Sequence, residues 1–95
     1  MHCYTIQHVI TIEELIWDEW NVNHVSKHSV AIVEIEQACK NQLKAYVSYS
    51  NRVIVIGETI TARLLTIVLA ESLEVKNSYY VVTARDISSK ERKLL

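Results

Sequence analysis

The apolar positions of this chain change period several times, and each change marks an element. From Tyr4 to Trp17 the sequence reads YTIQHVITIEELIW, and Tyr4, Ile6, His8, Ile10 and Ile12 alternate with polar or smaller residues, which favours a strand. Asp18 is a good N-cap for a helix running to about His28. Trp20, His24 and His28 lie four apart on it and share a stripe flanked by Asn21 and Val25, with Trp20 expected in the core. A break at Ser29 precedes a second helix, Val30 to Asn41, whose apolar face is Ile32, Ile35 and Cys39 with Val33 and Ala38 beside it. Leu43 to Ser50 alternates again, placing Leu43, Ala45, Val47 and Tyr49 on one face. Ser50-Asn51 suits a tight turn, because Asn tolerates positive φ. Arg52 to Thr59 reads as the next strand, with Gly57 marking a bulge or a close backbone approach. Ala62 to Glu71 is apolar on both faces, as a central strand would be. Ser72 to Ser78 is polar enough for a turn into the last strand, Tyr79 to Val82. Ser88 and Glu91 then form a capping box, opening a helix that carries Lys90 to Leu95.

The order is strand, two helices, four strands and a short helix. That is an α+β fold in which two N-terminal helices pack on a twisted, mainly antiparallel β-sheet with a short C-terminal helix. Ninety-five residues make a single domain spanning 1–95. No Pro and one Gly leave little room for linkers. The N-terminus lacks a basic region ahead of an apolar run, so no signal peptide is expected, and no apolar stretch approaches the length of a membrane span. Cys3 and Cys39 have no metal or redox spacing, which suits free thiols in a cytoplasm.

The formal net charge is −1, which excludes a protein that is basic overall. The distribution is uneven. Six carboxylates from Glu13 to Glu36 face only Lys27, whereas Arg85, Lys90, Arg92 and Lys93 outnumber Asp86 and Glu91 at the end of the chain. This suits a local anion site rather than a broad electrostatic footprint. Arg85 stands where the last strand leaves the sheet. There its guanidinium can grip a phosphate or carboxylate by two parallel hydrogen bonds, or simply tie Asp86 or Glu91.

Four fragments together resemble the BrnT-like toxins of bacterial type II toxin–antitoxin systems. They are WDEWNVNHVSKHSV from Trp17, EIE from Glu34, VIGETITARLLTIVL from Val55 and YYVVTARDISSKER from Tyr79, in family order and spacing. The matching residues are Asn21, His24, His28, Thr59, Arg63, Thr83, Arg85, Lys90, Glu91 and Arg92. Ser29 and Ala62 stand where the family has glycine, and Ser29 follows the second His, where a left-handed cap is wanted. Met1 to Glu14 is longer than the family pattern. The resemblance implies a RelE-like fold, metal-independent endoribonuclease activity without a cofactor, and inhibition of translation. It also implies a cognate antitoxin, of the ribbon-helix-helix DNA-binding kind, through which alone the chain would meet operator DNA. RNA is the implied substrate, the ribosome a further source of contacts, the cytoplasm the compartment, and no membrane is involved.

Metal-independent cleavage directs the ribose 2′-hydroxyl at its own phosphate. It needs a base, cationic donors for the phosphorane and an acid for the leaving oxygen. Given the resemblance, Arg63 and Arg85 are the candidates for the phosphate and His28 for base or acid, with Lys27, Lys90 and Arg92 on flanking phosphates. Plainer roles compete with these. His24 and His28 could share zinc, but no third ligand stands out, so no metal is expected. Asn21 and His24 suit satisfied polar groups that fix the helix to the sheet. Arg63 could bond Glu34 or Glu36, and Tyr79–Tyr80 suits packing better than base stacking. So few cations imply weak free RNA binding. A catalytically weak homologue that binds the antitoxin is the alternative function.

Overall fold

The computed structural model describes residues 9–48 and 50–95. Its elements are β1 (Glu14–Ile16), α1 (Glu19–Ser26), α2 (Ile32–Lys40), β2 (Gln42–Val47), β3 (Arg52–Glu58), β4 (Leu64–Glu71), β5 (Ser78–Asp86) and α3 (Ser89–Arg92). The strands form one sheet in the order β1-β5-β4-β3-β2. β2 to β5 pair antiparallel, whereas β1 runs parallel to β5. The α+β class and the mainly antiparallel sheet match the reading of the sequence. The expected first strand differs: among its described residues, 9–17, Glu14–Ile16 pairs, and Ile10 and Ile12 are not in a strand. Instead the Gln42 side chain brackets Ile10, accepting from its N–H and donating to its carbonyl, both at 2.9 Å. Cys3, Tyr4, Ile6, His8 and Tyr49 lie outside the described residues.

Local chemistry sets the helix ends. Asp18 Oδ1 accepts from the Asn21 N–H at 2.9 Å while Asn21 Oδ1 accepts from the Asp18 N–H at 2.8 Å, a reciprocal cap that starts α1. The fully buried Asn21 amide also donates to Ile16 O and Val81 O, so it ties α1 to both β1 and β5. Between the helices Ser29 takes a φ of 58°, and Ser50 and Asn51 turn β2 into β3 with φ values of 61° and 58°. Gly57 marks a close approach: a Cβ there would overlap the Ala38 carbonyl of α2. The same place carries a register shift between Gln42 and Lys44, so both readings of that glycine hold.

The core lies between the helices and one face of the sheet. Val25, Val30, Ile35, Ala38 and Cys39 meet Ala45, Val53, Val55, Leu65, Ile67, Leu69, Val81 and Ala84. Trp20 is not part of it and is 59% exposed. The two turns of α1 bury Asn21 and Val25, and Trp20, one position away, is turned roughly 100° from that line. Ala45 and Val47 do share one face, opposite the core residues Val55 and Val53, but only Ala45 is covered and Val47 is 77% exposed; Leu43 departs from the alternation because it falls at the register shift between Gln42 and Lys44. α3 lies on the other face, which α1 and α2 leave open.

Candidate functional site

The register of the sheet assembles a row on that open face. Lys44 pairs with Ile56, Ile56 with Thr66 and Thr66 with Arg85, so these four side chains cross β2, β3, β4 and β5 on one side. The next row holds Tyr46, Ile54, Val68 and Thr83. α3 docks on the first row. Its start is capped as expected, with Ser88 Oγ accepting from the Glu91 N–H at 3.1 Å and Glu91 Oε1 accepting from the Ser88 N–H at 2.9 Å. That cap delivers the Glu91 carboxylate to Arg85, whose Nη1 and Nη2 donate to it at 2.8 and 2.7 Å. The Thr66 hydroxyl donates to the same carboxylate at 2.9 Å, and Lys44 Nζ donates to Leu94 O at 3.0 Å.

Charge follows this geometry. The Arg85 fork, with the Ser88 and Thr66 donors, holds the Glu91 carboxyl down at about 2 despite its partial burial. Glu91 in turn raises the Arg85 pKa. Burial raises the Tyr46 phenol, and the Glu91 charge adds to that shift, so Tyr46 keeps its proton at neutral pH.

Arg63 belongs to the same end of the sheet but to the helix side. It lies in the β3–β4 connection, which is closed by Thr59 N–H to Arg63 O at 2.9 Å and by Arg63 N–H to Thr59 Oγ1 at 3.1 Å. Its Nε and Nη2 donate to Asp86 at 2.7 and 3.2 Å. Its Nη1 donates to both Glu34 oxygens, at 3.0 and 3.2 Å, and to Ser29 O at 3.1 Å. Of the two helix carboxylates considered for Arg63, Glu34 is the partner. The Asp86 carboxyl is lowered chiefly by its bond from Arg63, and Glu34 by the Ala31 N–H, with Arg63 contributing. Arg85 Nη1 also donates to the Asp86 carbonyl at 3.3 Å, so the two arginines share one residue from opposite faces.

Trp20 and His24 of α1 form an aromatic column with His28 of the turn that follows it. Trp20 and His24 stack with centroids 4.8 Å apart and planes 8° from parallel, and His24 meets His28 edge-on at 5.5 Å. Asn21 is the satisfied buried polar group that the sequence suggested; His24 instead stacks on Trp20. Among the described residues no group of three His, Cys, Asp or Glu could hold a metal ion.

The candidate residues therefore divide into two groups. Arg85, Lys90 and Arg92 stand at the open face, with both residues of α3 exposed. Arg63, His28 and Lys27 gather at the helix-side corner. Lys44, Tyr46 and Thr66 join the first group and were missed in the sequence. Strand alternation did place Lys44 and Tyr46 opposite Ala45, but only register shows what they face. A cavity of about 520 Å³ lies elsewhere, between residues 9–15 and the end of α2, lined in part by Ile12, Glu36 and Cys39. Burial pushes the Cys39 thiol there up to about 12, so it is an unreactive core group.

No family model matches the chain, and no curated protein matches it. A solved structure does: the Brucella abortus ribonuclease toxin BrnT superposes with a TM-score of 0.61, over 80% of this chain and 97% of that one. The chain has a BrnT-like fold. Sequence identity to BrnT is 19%, so the likeness is one of architecture. The resemblance to the BrnT-like toxins read from the four fragments is borne out in that fold.

Proposed function

We propose that this chain is the ribonuclease toxin of a type II toxin–antitoxin pair and that it stops translation by cutting RNA without a metal. The observation that carries this reading is the coincidence of a BrnT-like fold with a row on the open sheet face that has Lys44 at one end and Arg85 at the other. RNA lies across that face. Arg85 donates its planar fork to the scissile phosphate as charge builds on the phosphorane. Lys44 stands at the far end of the row, and Lys90 and Arg92 hold flanking phosphates. Tyr46, protonated and one row away, is placed to give a proton to the leaving oxygen. His28, the sequence-derived candidate for proton transfer, sits at the end of α1 beside Lys27, in the helix layer. Arg63 acts in this reading as a clamp. The partner is a DNA-binding antitoxin whose binding covers the open face, and the site of action is the cytoplasm.

One observation favours a second reading, a homologue that binds the antitoxin without cutting RNA. Both arginines are already paired with the chain's own carboxylates. Induced expression in a bacterial host separates the two. The toxin reading expects growth arrest with shortened RNA, and cleavage by the purified protein that survives a chelator. Folded protein accumulating in normally growing cells would favour the binding reading.

A further inference from the structure

Glu91 stands where an anionic ligand would stand. Three of the donors on its carboxylate come from the sheet, two from Arg85 and one from Thr66, at 2.7 to 2.9 Å. Arg85 and Thr66 face each other in register on neighbouring strands, and Thr66 is only 1% exposed. These positions are fixed by β4 and β5 whether or not α3 is present. A guanidinium fork with a hydroxyl beside it serves two phosphate oxygens as well as two carboxylate oxygens. The present occupant rides on a much lighter element. α3 has four residues and buries none of them, and a helix that short does not stand alone in water.

We propose that Arg85 and Thr66 form a phosphodiester site that the resting chain keeps closed with its own Glu91 carboxylate, and that a strand phosphate enters by displacing α3. The anion site stands on the geometry alone; that the phosphate belongs to RNA rests on the function proposed above. Exchanging one anion for another leaves the buried Thr66 hydroxyl and the guanidinium satisfied. What is lost is the Ser88 cap, the bond from Lys44 Nζ to Leu94 O and the docking of a four-residue helix whose one well-covered side chain is Glu91 itself. A ligand binding to the opened form sees its affinity reduced by the fraction of molecules that are open.

The test titrates inorganic phosphate and a 2′-deoxy dinucleotide, which has no internal nucleophile, following the backbone amides of Thr66 and Arg85 by NMR. Glu91→Gln keeps the acceptor for the Ser88 N–H but removes the competing charge. It should bind the dinucleotide about tenfold tighter than the wild type, or more, since hydrogen bonds to charged groups are the strong ones. Glu74→Gln, which removes a charge from the exposed β4–β5 connection, should bind as the wild type does. Arg85→Ala added to Glu91→Gln should abolish the gain. No gain on Glu91→Gln, an equal gain on Glu74→Gln, or a gain that survives loss of Arg85 would each overturn the proposal. Equal gains for both probes mean that the site reads phosphate alone; a larger gain for the dinucleotide means that it also reads the strand.

Should Glu91→Gln not fold, the wild type still decides. Saturating dinucleotide should speed hydrogen exchange at the Glu91 and Arg92 amides, and unchanged or slower exchange there would contradict displacement. A Glu91→Gln gain without RNA cleavage by any variant keeps this site and sinks the ribonuclease reading. Cleavage without the gain does the reverse.

Discussion

Arg63 and Asp86 meet through two parallel hydrogen bonds of 2.7 and 3.2 Å, and this pairing fixes the β3–β4 connection to the end of β5. The same guanidinium reaches Glu34 and Ser29 O, so it joins the sheet to the start of α2 and to the turn after α1. Arg63→Ala should therefore lower stability. Asp86 is well exposed, so its ion pair with Arg63 is heavily screened. The loss should be about 1 to 2 kcal/mol, most of it from the bonds to Ser29 and Glu34. Thermal unfolding should show a fall of about 4 to 16 °C, given the usual 4 to 8 °C per kcal/mol for a domain of this size. An unchanged midpoint would mean that Arg63 ties nothing together and is free for a ligand.

Ala62 has a φ of 67°, a left-handed conformation, in the loop that Arg63 closes. An L-residue there costs roughly 1 to 2 kcal/mol, and glycine loses some of that advantage, about 0.5 to 1 kcal/mol, through its unfolded-state freedom. Ala62→Gly should therefore stabilise the chain by up to about 1 kcal/mol in chemical denaturation. Ser29, at φ 58°, should respond to Ser29→Gly in the same direction. Destabilisation by both glycines would show that neither backbone is strained.

Acid should act through Glu91. Its folded-state pKa, about 2, lies below its ordinary value of 4.5. Its contribution is therefore complete above about 4.5 and is lost as pH falls toward about 2. Glu34 and Asp86 are shifted in the same direction by their own partners. Stability measured against pH should fall over this window in the wild type and fall less steeply in Glu91→Gln. Parallel curves for the two proteins would remove Glu91 from the acid response.

The features legible in the sequence are the ones set by neighbours in the chain. Asp18 and Ser88 cap their helices, Ser29 breaks the helical run, Ser50-Asn51 turns and Gly57 admits α2, each for a reason contained in a few residues. Trp20 departs from the expected core position because a helix of two turns has one buried line, and Asn21 takes it by bonding Val81 O from 60 positions away. The parallel pairing of β1 with β5 and the row from Lys44 to Arg85 depend on registers between distant strands. Nothing local announces those. The choice of Glu34 for Arg63 and Glu91 for Arg85 depends on the same registers, which is why the plain and the functional readings of both arginines stayed open until the faces were known.

The rate at which purified protein cuts RNA in the presence of a chelator, compared between wild type and Arg85→Ala, tests the proposed site most directly. Arg85 is 43% exposed at its side chain, and its pair with Glu91 is partly screened, so Arg85→Ala should remain folded with only a modest loss of midpoint. Cleavage should drop by about 10² to 10³, the usual cost of one lost oxyanion donor, and Arg85→Lys should recover part of it, since an ammonium lacks the planar fork. A folded Arg85→Ala that cuts RNA at the wild-type rate, or a wild type that cuts only when a divalent metal is supplied, would contradict the proposed mechanism.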